Sequence, residues 1–162
     1  MKILAIDPGT TTGWAVGATE PVECGHQSFE AHARGSPWPI ESRWLHFRRW
    51  LIIRCVQYKP TVIAVEKPLM QPRDLVVNGY ATHARTLACE LSYRLVLVHP
   101  SSARAYAGLK RGQGKAFMLR NALDRGWPAQ TYDEADACWI LACAASQLSN
   151  PKLTKEAQSG TT

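Results

Sequence analysis

Four carboxylic acids are placed where a catalytic site could form. Asp7 and Glu66 each follow directly on a short apolar run, and Asp133 and Asp136 are three residues apart in a helical pattern, which puts both on one helix face. Carboxylates that converge on one point repel one another unless cations lie between them, and all-oxygen ligands select Mg²⁺ or Mn²⁺. Two such ions can cleave a phosphodiester bond without a Cys, Ser or His nucleophile. Each acid taken alone fits a solvated turn or a helix cap equally well.

Basic residues are concentrated in the segment 104–125. This segment has a single acid, Asp124, and six basic side chains, namely Arg104, Lys110, Arg111, Lys115, Arg120 and Arg125. Three glycines in the same segment would let the backbone approach a phosphate chain closely. The segment therefore predicts a phosphate-binding surface, with a flexible solvated loop as the alternative. It is not a P-loop, because the glycine-to-lysine spacing is one residue too long and Ala116 follows the lysine.

The overall composition agrees with a nucleic-acid partner. The chain has 162 residues, a net charge of +6 and a pI near 9.2, and a basic surplus favours a polyanionic ligand. The length suits one domain. The five cysteines show no zinc spacing, which indicates reduced thiols. The sequence shows no membrane span and no signal peptide, so we expect a cytoplasmic protein without a membrane partner.

The predicted elements could bring the four acids together. The pattern predicts three antiparallel strands, then a helix, a strand, a helix, a strand and further helices, which gives an α/β fold with a mixed five-stranded sheet flanked by helices on both faces. The expected segments are strands 2–6, 12–17, 22–29, 61–65 and 95–98, and helices 40–58, 79–93, 115–125 and 132–148, with a short helix after Pro100 that a serine caps. We expect one domain over 1–148 and a polar, disordered tail over 149–162.

Three segments together resemble the RuvC Holliday-junction resolvases, over about residues 1–146. The segment Ile3–Gly13 resembles their opening motif, Val62–Glu66 their second motif, and Asp133–Ala137 their C-terminal D-x-A-D-A motif. The resemblance implies an RNase H-like fold of the retroviral integrase superfamily and a homodimer. It also implies metal-dependent, paired nicking of four-way DNA junctions. The small size of the chain, together with the absence of an aromatic wedge residue, suits a phage-encoded relative, so the resemblance implies the cytoplasm of a bacterial cell or a phage-infected host.

The resemblance also assigns roles to individual residues. The metal-binding and catalytic carboxylates are Asp7, Glu66, Asp133 and Asp136, which would hold two Mg²⁺ ions per site, with Mn²⁺ able to substitute. Basic residues near the scissile phosphate match Arg104 and Lys115, the latter counted as catalytic. Glu134 occupies a variable position of the motif and has no assigned role.

Further DNA contacts are expected from Lys110 and Arg111. Relatives often have an aromatic wedge after the second-motif glutamate, whereas this chain has Lys67-Pro68-Leu69-Met70. Leu69 or Met70 could insert between bases as an apolar side chain, or could make ordinary loop contacts.

Three other classes of protein are alternatives to a junction resolvase. The segment Asp7–Thr11 also resembles the phosphate loop of actin-like kinases and ATPases. Those proteins need two domains of this kind, and therefore a longer chain. A nuclease of the same fold that cuts flaps or forks stays open, as does a DNA-binding module without catalysis. A module of that kind would be expected to lack one or more of the carboxylates, and all four are present. The sequence does not indicate whether a branch-migration motor is a partner.

Overall fold

The computed structural model describes residues 1–30, 34–68 and 74–150 of the chain. Its centre is a five-stranded sheet with the order β3-β2-β1-β4-β5. β1 pairs antiparallel with β2, and β2 with β3, whereas β4 runs parallel to both β1 and β5. The strand bounds are β1 Ile3–Asp7, β2 Thr11–Gly17, β3 Pro21–Ser28, β4 Val62–Glu66 and β5 Arg94–Val98. The predicted mixed sheet is confirmed.

Helices cover both faces of the sheet. α1 and α2 pack on the face that carries Leu4, Ile6 and Ile63, whereas α3, α4 and α5 pack on the face that carries Ala5 and Ala64. Alternate residues of one strand thus enter different cores, as the period of two requires. The helix bounds are α1 Pro39–Tyr58, α2 Leu75–Glu90, α3 Pro100–Tyr106, α4 Lys115–Asp124 and α5 Tyr132–Ser149. None of the helices within the described ranges has the length and apolar character needed to span a membrane.

α5 lies at the centre of the second core. Its residues from Glu134 to Ala145, except Asp136, are buried, which is the pattern of a helix enclosed on all sides. Alanines on α5 face alanines of the sheet, such as Ala5 and Ala15, so the helix axis lies close to the strands. This arrangement brings the four acids to one end of the sheet, because β1, β4 and α5 carry them and all three elements are in direct contact.

The prediction for α2 was wrong at its start. The helix begins at Leu75, whereas the sequence had placed a loop up to Asn78 and a helix start at Gly79. Gly79 lies inside the helix, and the indole of Trp44 packs against it: a Cβ at this position would stand 1.9 Å from Trp44 Nε1. The glycine thus marks a close contact between α1 and α2.

Two further expectations concern the cap of α3 and the segments that contain the wedge residues and the tail. The cap of α3 is His99, whose ring nitrogen accepts from the backbone N–H of Ser101, rather than a serine. Leu69 and Met70, the expected wedge residues, lie outside the described residues, and so does the expected tail from residue 151 onward. The division into one domain and a tail stays a prediction.

Candidate active site

Asp7 and Glu66 lie side by side at one edge of the sheet. Each is the last residue of its strand, and the parallel register pairs Ile6 with Val65, so the next residues along are neighbours. The carboxyl ends of parallel strands form the edge at which α/β proteins place their sites. The two strands are apolar and buried up to this point, which leaves the carboxylates as the first polar side chains of the edge.

The start of α5 brings the second pair of acids to this edge. Asp136 and Asp133 have side chains that are 18% and 33% exposed. Lys115 Nζ lies 3.2 Å from Oδ2 of Asp136 and 3.7 Å from Oδ1 of Asp133, so one ammonium group contacts both carboxylates. Their common partner confirms that the two acids share a helix face.

A cavity of about 100 Å³ joins these groups. Three of the four predicted carboxylates line it, together with the two predicted basic residues; the lining residues are Asp7, Glu66, Pro100, Ala103, Arg104, Lys115, Met118 and Asp136. Asp133 is not in the lining and reaches the group through Lys115. The structure therefore brings five of the predicted site residues around one cavity.

The predicted DNA contacts Lys110 and Arg111 lie elsewhere. Both are exposed, in the turn that joins α3 to α4, and neither lines the cavity. Arg104 and Lys115, at the two ends of that connection, do line it. The basic segment thus runs from the cavity outward to solvent.

The electrostatics of the cavity favour the protonated form of its acids. Burial raises the pKa of Asp7 well above its usual range, and the charges of Glu66 and Asp136 raise it further. Burial, with a contribution from Asp136, raises the pKa of Glu66 to about 7. The pKa of Asp136 is also raised by burial, although Lys115 opposes the shift. Burial lowers the pKa of Lys115, but Asp136, Asp7 and Asp133 outweigh this and raise it.

Such a cluster has the chemistry of a divalent-cation site. Within the described ranges, no three His, Cys, Asp or Glu side chains are arranged to hold a metal ion as they stand. The oxygen donors are nonetheless of the type that Mg²⁺ and Mn²⁺ prefer, and the pKa values of three carboxylates are raised by burial first and by their mutual repulsion second. The residues fit such an ion, and Asp7, Glu66 and Asp136 would hold it, with Asp133 beside them.

Sequence reasoning missed one pair of residues at this edge. Nδ1 of His26 on β3 lies 2.8 Å from Oε1 of Glu134, and Glu134 is only 7% exposed. Oε2 of Glu134 accepts from the backbone N–H groups of Gln130 and Thr131. The spacing of Thr131 and Glu134 is the signature of a capping box and was readable in the sequence. The contact with His26 was not, because it joins residues far apart in the chain.

The comparisons with known proteins agree with this architecture. No family model matches the chain, and no curated protein is similar to it in sequence. Among solved structures, Thermus thermophilus RuvC is similar with a TM-score of 0.68 and 18% identity, covering 95% of this chain and 97% of that one.

Two further structures extend the likeness. T. thermophilus RuvC in complex with Holliday junction substrate gives a TM-score of 0.67 at 18% identity, covering 94% of this chain and 96% of that one. The yeast mitochondrial Holliday junction resolvase Ydc2 gives 0.63 at 15% identity, covering 95% and 83%. The fold is therefore that of RuvC and related resolvases, as the sequence motifs had indicated, over most of the length of each chain.

Proposed function

We propose that this chain is a structure-selective DNA endonuclease that resolves four-way junctions by paired symmetric nicks. The observation that carries the proposal is the cavity at the sheet edge. Asp7, Glu66 and Asp136 share it with Arg104 and Lys115, in a fold that RuvC also has. Acidic groups that can hold cations stand there beside basic groups that can bind a phosphate.

The proposed reaction is metal-dependent hydrolysis of a phosphodiester. Two bound Mg²⁺ or Mn²⁺ ions would supply an activated water and stabilise the leaving 3′ oxygen. The carboxylates of Asp7, Glu66, Asp133 and Asp136 would hold the ions. Arg104 and Lys115 bind the scissile phosphate and offset the negative charge that develops on it, and Lys115 also keeps the two acids of α5 in place.

The proposed substrate is branched DNA, bound by a homodimer. The net charge of +6 and the exposed Lys110 and Arg111 favour a polyanion. One similar solved structure, that of T. thermophilus RuvC, is a complex with a Holliday junction substrate, and the similarity covers 94% of this chain. Two sites in a symmetric dimer would nick two strands at equivalent positions. Light scattering at micromolar concentration should give twice the mass of 18.0 kDa.

A cleavage panel tests the substrate class. Four-way, flap, fork and plain duplex DNA are incubated with the protein, with Mg²⁺ and with EDTA. We expect cutting of the four-way junction in Mg²⁺ only. Comparable cutting of flaps and forks would support the broader branched-DNA nuclease, equal cutting of duplex would reject junction selectivity, and binding without any cutting would indicate a non-catalytic module.

The substitution Asp136→Asn tests the site. The amide keeps the shape of the side chain but loses the charge needed to hold a cation, so nicking should fall by at least about 100-fold while junction affinity in EDTA stays within about threefold. Asp124→Asn is the matched control, because Asp124 is exposed at the end of α4 and does not line the cavity. Nicking by Asp136→Asn at the wild-type rate would show that the site is elsewhere.

A further inference from the structure

A row of neighbouring residues crosses the sheet at the candidate site. The antiparallel registers pair Asp7 on β1 with Gly13 on β2, and Gly13 with His26 on β3. Residues paired across strands point to the same face of a sheet. The row therefore places an acid of the cavity, a position without a side chain and a histidine next to one another, on the face that α5 covers.

Gly13 lets the start of α5 rest directly on this row. A Cβ at position 13 would stand 2.0 Å from the backbone carbonyl oxygen of Asp133, a distance that no side chain can occupy. The backbone of α5 thus touches the sheet at the residue that begins the acidic pair. Any shift of the helix start would move Asp133 and Asp136 relative to Asp7.

The histidine of the row fastens the same helix start. A carboxylate only accepts hydrogen bonds, so His26 donates through Nδ1 to Oε1 of Glu134, over 2.8 Å. Oε2 of Glu134 accepts from the backbone N–H groups of Gln130, at 2.6 Å, and Thr131, at 3.2 Å. One buried carboxylate therefore ties the segment before α5 to the first turn of the helix and to β3.

We infer that Glu134 and His26 are positioning residues for the carboxylate site. They fix α5 against β3 so that Asp133 and Asp136 face Asp7 and Glu66. The capping box uses Oε2 of Glu134, so the contact of the other oxygen, Oε1, with His26 is not needed to cap the helix. The inference rests on the proposed function, since it concerns how the same acids are held.

The test compares Glu134→Ala with Glu134→Gln and His26→Ala. Mn²⁺ binding without DNA is measured by calorimetry, nicking in single-turnover experiments, and junction affinity in EDTA. Loss of a residue that orients ligands typically lowers metal affinity about 10–100-fold. We expect a loss of that size in Mn²⁺ affinity and nicking rate for Glu134→Ala, and a smaller one for His26→Ala, with junction affinity within about threefold. Glu134→Gln should recover most of the loss, because its amide oxygen can accept from the backbone and its NH₂ can donate to His26.

Glu23→Ala is the matched control. Glu23 is on the same strand as His26, but it accepts from the hydroxyl of Tyr58 rather than from α5, so its loss should change neither Mn²⁺ affinity nor nicking. A folded Glu134→Ala protein with wild-type Mn²⁺ affinity and rate would overturn the inference. Should that variant fail to fold, wild-type values for His26→Ala would overturn it. If the wild-type protein itself neither binds Mn²⁺ nor nicks junctions, the proposed function fails instead.

Discussion

Asp7, Glu66 and Asp136 line one small cavity, where burial and mutual repulsion disfavour their charged forms. Burial is the largest cause of the raised pKa of Asp7, Glu66 and Asp136, and the mutual repulsion of the acids adds to it for each of the three. Lys115 opposes these shifts, yet its ammonium group contacts only the pair on α5. The cluster therefore holds protons more tightly in the folded chain than in the unfolded one.

This difference predicts how the stability of the metal-free protein depends on pH. For Glu66 the pKa is 4.5 in the ordinary case and about 7 in the fold, so between these values the folded state binds more protons and stability falls as pH rises. The loss for this group amounts to at most about 3 kcal/mol and levels off above pH 7. Urea unfolding in EDTA from pH 4.5 to 8 measures it.

The variant Glu66→Gln identifies the group responsible. It should lose less stability over that pH range than the wild type, whereas Glu41→Gln, at an exposed position in the first turn of α1, should follow the wild type. Equal pH slopes for Glu66→Gln and the wild type would show that this carboxyl does not hold the extra proton.

Single residues also show what the sequence could and could not predict of the site. Asp7 and Glu66 were found because each ends a buried strand, and the pair on α5 because its spacing is helical. The pairing of His26 with Glu134 depends on packing between β3 and α5, which no local pattern records.

Among the elements, α2 shows where local pattern and packing disagree. The sequence predicts that this helix begins at Gly79. The structure instead places Gly79 in the interior of α2, against the indole of Trp44. The Nε1–H of Trp44 donates to the backbone carbonyl of Val76. The three antiparallel strands and the mixed five-stranded sheet were predicted correctly, because apolar runs and turn residues are local features. The contact between Gly79 and Trp44 joins residues of two helices, so no local pattern records it.

The substitution Gly79→Ala tests this contact. Alanine normally stabilises a helix interior by about 1 kcal/mol relative to glycine. Here the new methyl group would overlap the indole of Trp44, and overpacking of this kind typically costs about 1–3 kcal/mol. We expect a net loss in the free energy of unfolding, measured by urea denaturation.

A double-mutant cycle separates packing from helix propensity. In a Trp44→Leu background the methyl group has room, so the same Gly79→Ala change should be neutral or stabilising. A similar loss in both backgrounds would mean that the indole is not the cause.

On the scale of the whole fold, the candidate site and the basic segment 104–125 lie on the same side of the sheet. The cavity, Arg104 and the turn with Lys110 and Arg111 belong to the layer of α3, α4 and α5, whereas α1 and α2 cover the opposite face. The net charge of +6 alone did not locate a DNA-binding surface. The fold places the basic segment beside the acids of the cavity, which is where the proposed substrate would bind.

The salt dependence of junction binding measures this surface. Each lost phosphate contact lowers the slope of log affinity against log salt by about 1, so Lys110→Ala combined with Arg111→Ala should reduce it by about 2. Arg49→Ala is the control, because Arg49 is exposed on α1, on the opposite layer. An unchanged slope in the double variant would place the DNA elsewhere.

The position of α5 also has a consequence for synthesis of the chain. Asp7 and Glu66 are translated before Asp133 and Asp136, and the second pair reaches the site once α5 has packed on β1 and β2. A partly made chain holds half of the acids and none of the helix that completes them. Under the proposed function, a chain that stops short of α5 would therefore be unable to cut DNA.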